Sequence, residues 1–447
     1  MQAGLVVSRR DVWLLLGALG ALVLVTATSL GSDPWAFRPG AVHATGPFAA
    51  LVRGADGSWD TEAVRAPALL AGLLLALAAA VAPLRPSWPR WSVVVLTGVV
   101  VCLLVVPAVA LQAGLRQSSA PWFFTNDSTY QVELAGGLLR DGENPYGHDY
   151  SHSGLERFYS LDGSVTEATR EHQVALRHFA YFPGTAITAA GWSVLPKPWD
   201  DYRFFVLLTT LGGLAAALLF PGPLVRRLVL GAVVAASPLA VRAAWFGTAD
   251  APSVLCTVLA FALVARRRLF WAAAALAAAV VLKQFALVAL PFAAVIVWKR
   301  GGRPALERFL GVGAAVALAG VLPFLIAGPG ALWNDTVHYG ASTYRIIGYG
   351  LASLLLRAGV IGDRFGYYPF GWLALFVWAP VTAWLVWAQR RAPRLWPGAV
   401  HFAVSIFLLL FLARVFQTSY LVWPLFGIVL AGLLACAERE VEAVPRD

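Results

Sequence analysis

The chain has 447 residues, 59% of them hydrophobic and only 13% charged, with a formal net charge of +10. That balance excludes an ordinary soluble domain and points to a polytopic membrane protein. The positive charge is no nucleic-acid signal: the cations sit in short clusters between apolar runs, where they orient a membrane protein by the positive-inside rule.

Crossing the hydrocarbon core takes about 20 apolar residues, and several runs reach that length. Lipid admits only helices or closed barrels, and a barrel's short alternating segments are missing, so the sequence predicts an all-α bundle. Ser8-Arg9-Arg10 precedes a run at about 12–30, which reads as an uncleaved first span with a cytoplasmic N-terminus. After an external loop, 31–65, a second span at about 66–84 leads to the Arg85 to Arg90 turn, and a third follows at about 91–113. Residues 114–178 then form a long external loop holding His148, His152, His172 and His178.

The stretch Tyr181–Leu195 is apolar but short and broken by Pro and Gly. Reading it as a re-entrant or interfacial helix puts every later basic cluster on one side: Arg226-Arg227, Arg266-Arg267-Arg268, Lys299-Arg300 with Arg303, and Arg390-Arg391 with Arg394. Spans are expected at about 203–220, 226–245, 251–265, 269–283, 285–298 and 307–327, then an external loop at about 328–366. Three last spans, at about 367–389, 396–413 and 417–436, give twelve crossings with both ends inside. The organisation is two N-terminal helices (1–90), a catalytic membrane module (91–330), and an external loop with the C-terminal helices (331–447). Cys102, Cys256 and Cys436 lie in apolar runs without ligand spacing and read as small core residues.

The polar residues at the outer span ends are few. Asp127, in Thr125-Asn126-Asp127-Ser128-Thr129-Tyr130, either caps a helix or does acid–base chemistry. Asp250 stands before Pro252 at a helix start, with Arg242 a turn or two below, and again capping competes with a substrate-side role. Lys283 interrupts an apolar stretch beside Gln284; a cation there costs a few kcal/mol unless paired or snorkelled to headgroups. The second loop offers His338-Tyr339 and Tyr344-Arg345, and the last span opens with Arg414 and Tyr420. Taken singly these are interfacial anchors; together they set one acid or two among several cations, which suits a phosphate and a hydroxyl to be deprotonated. No phosphate-cradling Gly-Lys-Ser/Thr loop, HExxH pair or GxSxG elbow occurs, which excludes a nucleotide-driven pump as far as motifs can.

In the order of its motifs the chain resembles the GT-C superfamily of polyprenyl-phosphate-sugar-dependent membrane glycosyltransferases. The resemblance rests on Asp127 early in a long external loop, on Asn144-Pro145-Tyr146-Gly147, on Tyr181-Phe182-Pro183, and on Pro238, Arg242, Gly247 and Asp250. The Leu-Lys-Gln and Leu-Pro-Phe pieces within 282–292 are similar to the branch with actinobacterial phosphatidylinositol-mannoside and lipomannan mannosyltransferases. The motifs cover about 91–330, and the rest is similar in hydropathy alone. The chain departs from the family in having a lone Asp instead of a paired acid, and in two extra spans before the family's usual first.

The resemblance implies an inverting transfer of a sugar, mannose foremost, from a polyprenyl-phosphate donor to a lipid or glycan acceptor at the external face of a bacterial plasma membrane. Asp127 would be the general base. Lys283, Arg345, Arg242 and His338 would meet the donor phosphate. Tyr130, Asn144, Tyr146, Tyr181, Asp250, Gln284 and Tyr344 would line the substrates. No cofactor or nucleic acid is implied; a divalent metal stays an option that the lone acid weakens. The rival readings are a transporter or flippase for a lipid-linked sugar, which would want ionisable groups near the bilayer midplane, and a polymerase or ligase of the O-antigen kind.

Overall fold

The structure, a computed structural model, describes residues 6–30, 62–84, 87–118, 127–155, 176–247 and 250–443. Thr125, Asn126, His172 and most of the first external loop lie outside the described residues. Of the described residues, 78% are helical. Among the described residues there are two short strand pairings: Val6–Ser8 runs antiparallel to Ser87–Pro89, and Ile347–Gly348 runs parallel to Val415–Phe416.

Among the described residues, 7 helices are long and apolar enough to cross a membrane. Four shorter apolar helices accompany them: Tyr202–Leu218, Asp250–Ala265, Leu269–Leu282 and Pro397–Leu412. The seven full-length helices number fewer than the twelve expected crossings for two reasons. The spans expected at about 285–298 and 307–327 lie in one 44-residue run, Gln284–Ala327. That run is broken at Gly302, whose φ 69 and ψ −166 fall in a region essentially reserved for glycine. The four short helices, of 14 to 17 residues, measure roughly 21–26 Å at about 1.5 Å per residue, below the ~30 Å of a hydrocarbon core. The cysteines are free, and of the three Cys436 is buried while Cys102 is exposed. An apolar run alone does not separate inward from outward faces.

The chain divides into two compact units that interleave along the sequence. One comprises residues 1–125, 203–251 and 432–447, the other 126–202 and 252–431. In the first, Ser8 opens the helix Arg9–Ala27: its Oγ accepts from the Asp11 N–H and donates to the Asp11 carboxylate, a reciprocal cap. Gly72 lets the helix Glu62–Val81 approach closely, since a Cβ there would stand 3.1 Å from Val23 Cγ1. Ser237 precedes a proline, which forces it extended (ψ 159) and ends the helix Leu224–Ala236. Its hydroxyl then caps the next helix, Pro238–Phe246, by accepting from Ala240 N–H. Arg227 donates to the carbonyls of Leu218 and Phe220 at 2.6 and 2.9 Å, closing the carboxyl end of Tyr202–Leu218.

In the second unit, the helices Asp127–Arg140 and Pro183–Trp192 cross at Gly136, where a Cβ would lie 2.8 Å from the Ala189 backbone. Pro183 supplies a preset φ for the first helical position. This helix has 10 residues, roughly 15 Å, half of what a crossing needs. Its start docks on the end of Leu269–Leu282: Thr185 donates to Leu282 O at 2.7 Å, and a Cβ on Gly184 would meet Val281 O at 2.8 Å. Lys299 donates to the carbonyls of Gln389 and Ala392, and Arg300 to those of Val264 and Ala265. The segment expected as a plain external loop, about 328–366, carries the helix Pro329–Trp333, a π-helix Asn334–Thr343 and the helix Leu351–Arg357.

Candidate active site

The polar centre of the second unit is a residue the sequence reading passed over, Asp335, in the first turn of the π-helix. It is 2% exposed, and each carboxylate oxygen is engaged. Oδ2 accepts from the backbone N–H of Gly147 at 2.9 Å and of Phe179 at 3.2 Å, and Oδ1 from His178 Nδ1 at 2.8 Å. A carboxylate can only accept here, so His178 carries its proton on Nδ1. Burying a charge is costly unless it is hydrogen-bonded, and three donors from two distant segments meet that demand. Asp335 thus ties the 141–155 loop and the 176–182 segment to the π-helix.

The His178 ring stacks on Tyr339 with centroids 4.5 Å apart at 24°, and Tyr339 meets Tyr344 edge-on at 5.1 Å. The His178 carbonyl accepts from Gln131 of the Asp127–Arg140 helix at 2.8 Å. The ring is held on one edge and one face, and its side chain keeps 22% exposure.

The loop itself is built on Asn144-Pro145-Tyr146-Gly147. Asn144 Oδ1 accepts from Tyr146 N–H at 3.1 Å, an Asx-turn, and Gly147 takes φ 70. Tyr146 donates its hydroxyl to Tyr181 O at 2.7 Å and packs its ring against Phe179 and Phe324. Burial, then the charges of Tyr150 and Asp335, push the Tyr146 phenol well above its usual 10.0. It stays a proton donor. Tyr150 is raised likewise by burial and by Asp335, and donates to Pro145 O at 2.9 Å. At the exposed rim, hydrogen bonds from Ser151 hold the Asp149 carboxyl below its ordinary value.

Lys283 ends the helix Leu269–Leu282 as its C-cap and is 5% exposed. Its ammonium lies 6.0 Å from the Tyr181 ring centroid, 5.1 Å from Phe285 and 5.2 Å from Tyr420. Cation–π contacts of this kind contribute about 0.5–2 kcal/mol each, more where water is excluded. The adjacent Gln284 donates at 3.5 Å to the carbonyl of Thr336, the residue after Asp335. Its Oε1 is buried with no hydrogen-bond partner among the described residues.

The remaining expected residues divide as follows. Asp127 is the first residue of its helix, half-buried, and its Oδ1 accepts from Ser128 N–H at 2.8 Å, a contact at the helix start of the kind weighed for it. Tyr130 donates to Ser153 O at 2.7 Å. His338 is exposed, and Tyr344 and Arg345 are half-buried where the π-helix ends. Arg414 is a staple: fully buried, it donates to the carbonyls of Tyr344, Gly366 and Arg364. Arg242 and the fully buried Asp250 belong to the other unit. Tyr146, Tyr181, Lys283, Gln284 and Tyr344 are thus linked by contacts within one unit, through partners the sequence reading did not single out. No group of three or more His, Cys, Asp or Glu side chains that could hold a metal occurs among the described residues. Compared with known proteins, the chain matches no family model, no curated protein and no solved structure.

Proposed function

We propose that the protein is an integral membrane glycosyltransferase. It moves a sugar, mannose foremost, from a polyprenyl-phosphate donor to a lipid or glycan acceptor, with inversion and with Asp127 as general base. The observation that carries this reading is the pairing of a buried, aromatic-boxed Lys283 with a carboxylate-anchored loop cluster at the ends of apolar helices. A cation shielded from water interacts strongly with an anionic headgroup, and carboxylate and imidazole groups handle protons. A donor delivered within the membrane needs no nucleotide-binding domain, and its lipid tail would lie along the apolar helices.

In this reading the chain crosses the bilayer twelve times in a bacterial plasma membrane, and the site opens to the external face. The ten-residue helix Pro183–Trp192, too short to cross, is the re-entrant or interfacial element that this topology requires. The test is transfer from a polyprenyl-phosphate sugar by purified protein. Asp127→Asn should lower the rate about 10²–10⁴-fold, the usual worth of a general base, while expression and thermal stability persist. Full retained activity, or sugar-dependent transport in proteoliposomes without a glycoside product, overturns it.

A further inference from the structure

We propose that His178, fixed by Asp335, is the proton donor to the phosphate that leaves when the sugar is transferred. The inference rests on the transferase reading above and adds to it the acid that complements the Asp127 base. Four observations carry it. The Nδ1–H is committed to a fully buried carboxylate at 2.8 Å, so the doubly protonated ring, the form that can act as an acid, presents its Nε2–H as its working edge. Nε2 makes no hydrogen bond among the described residues, while the ring is partly exposed. Tyr339, stacked at 4.5 Å, fixes the plane of the ring, which a merely solvated histidine would not need. Asp335 is itself saturated by Gly147 and Phe179, so it serves as the fixed carboxylate behind the ring and not as a second acid.

The position fits an anion. His178 precedes Tyr181 by three residues, at most about 11 Å of chain, and the Tyr181 ring is one wall of the Lys283 box. Gln284, next to that lysine, reaches the π-helix at Thr336, beside Asp335. A cation and an imidazole on these linked segments suit a phosphodiester.

The step balances. The acceptor hydroxyl oxygen bonds to the sugar C1 and gives its proton to Asp127. The bond from C1 to the phosphate oxygen breaks, with its electron pair remaining on that oxygen. The imidazolium form of His178 gives its Nε2 proton to the phosphate and becomes the neutral ring with Nδ1–H on Asp335; the partly exposed ring then takes a proton from solvent, and Asp127 releases the acceptor's proton to solvent. The products are the glycoside and the protonated polyprenyl phosphate.

The experiment uses the full chain in nanodiscs, with synthetic polyprenyl-phosphate mannose as donor and release of polyprenyl phosphate as readout. His178→Gln should lower kcat about 10²-fold with little change in KM. Free imidazole should restore part of the rate to His178→Gly, and the basic limb of the pH profile should vanish in His178→Gln. The groups around His178 are Asp335 and Tyr339 from the π-helix, Arg177 beside it and the uncharged Gln131, with Tyr146 and Tyr150 of the loop acting on Asp335. Their carboxylate, phenol and guanidinium ranges lie apart from that of an imidazole. The loop imidazoles His148 and His152 are controlled by running His148→Gln and His152→Gln alongside.

Independently of activity, at a pH where the ring is unprotonated, diethyl pyrocarbonate should carbethoxylate the Nε2 lone pair of His178, several-fold more slowly in Asp335→Asn, which lacks the carboxylate that fixes the Nδ1–H form. Wild-type release from His178→Gln, or labelling indifferent to Asp335→Asn, overturns the dyad while leaving the transferase reading intact. No release by the wild-type protein sinks that reading and this step with it, and the labelling result then reports on the dyad's geometry alone.

Discussion

Two regions of this protein handle buried polarity in opposite ways. At the basic clusters, Arg227, Lys299 and Arg300 each reach the carbonyls that end a helix, so cations meet the partial negative charge of helix termini. At the Asp335 cluster one carboxylate gathers N–H donors from two loops and an imidazole. The first arrangement is local in its demand: any helix end needs donors or acceptors, water can supply them, and each cation is replaceable. The second is not, because no water substitutes for a carboxylate that holds three donors away from solvent. Basic clusters therefore tell where helices end, whereas Asp335 decides how the 141–155 and 176–182 segments fold.

The largest effect should come from Asp335→Ala. It strands the N–H groups of Gly147 and Phe179 and the Nδ1–H of His178, at about 1–3 kcal/mol for each buried donor left unmade. A drop of several degrees in the unfolding midpoint in detergent, with faster proteolysis in the 141–155 loop, is expected; an unchanged midpoint breaks the comparison.

A smaller loss, about 0.5–1.5 kcal/mol, should follow Tyr146→Phe, which deletes one hydrogen bond to Tyr181 O. This variant also carries a pH signature. The folded-state phenol lies above its usual 10.0, so its stabilisation is complete below about pH 10 and is lost as pH rises further. The stability gap between wild type and Tyr146→Phe should therefore narrow above about pH 10, in thermal scans run across that range. A gap that widens there reverses the assigned cause.

The smallest effect belongs to the basic ends. Arg300→Leu and Lys299→Met should cost about 0.3–1 kcal/mol apiece, the worth of a cation at a helix carboxyl terminus. If either approaches the loss in Asp335→Ala by the same thermal assay, the two regions do not differ as argued.

Part of the site was legible in the sequence. Asn144, Tyr146, Tyr181, Lys283 and Gln284 stood out as polar or aromatic residues punctuating apolar runs, and the structure links them within one unit. Arg414 stood out for the same reason, yet its guanidinium is occupied by three carbonyls. Asp335 went unremarked although Asn334-Asp335-Thr336 follows an apolar run as Asp127 does. The signal that drew attention to one loop applied equally to the other, and a search for acids just beyond each span would have found it. His178 was visible only as one of four loop histidines, since nothing local marks which imidazole has a carboxylate behind it.

The sequence by itself determined the helical class and the approximate positions of the apolar helices. Hydropathy and the need to pair backbone groups within each segment are local properties, readable a few turns at a time. The Asn144 turn is equally local, and so is the Ser237-Pro238 break, although the span expected at about 226–245 ran through it. Only the tertiary structure decided that Asp335 meets His178 across 157 residues of chain, and that Lys283 enters an aromatic box. A buried carboxylate or ammonium takes whichever partners packing brings within about 3 Å or over a ring face, and sequence spacing does not encode that choice.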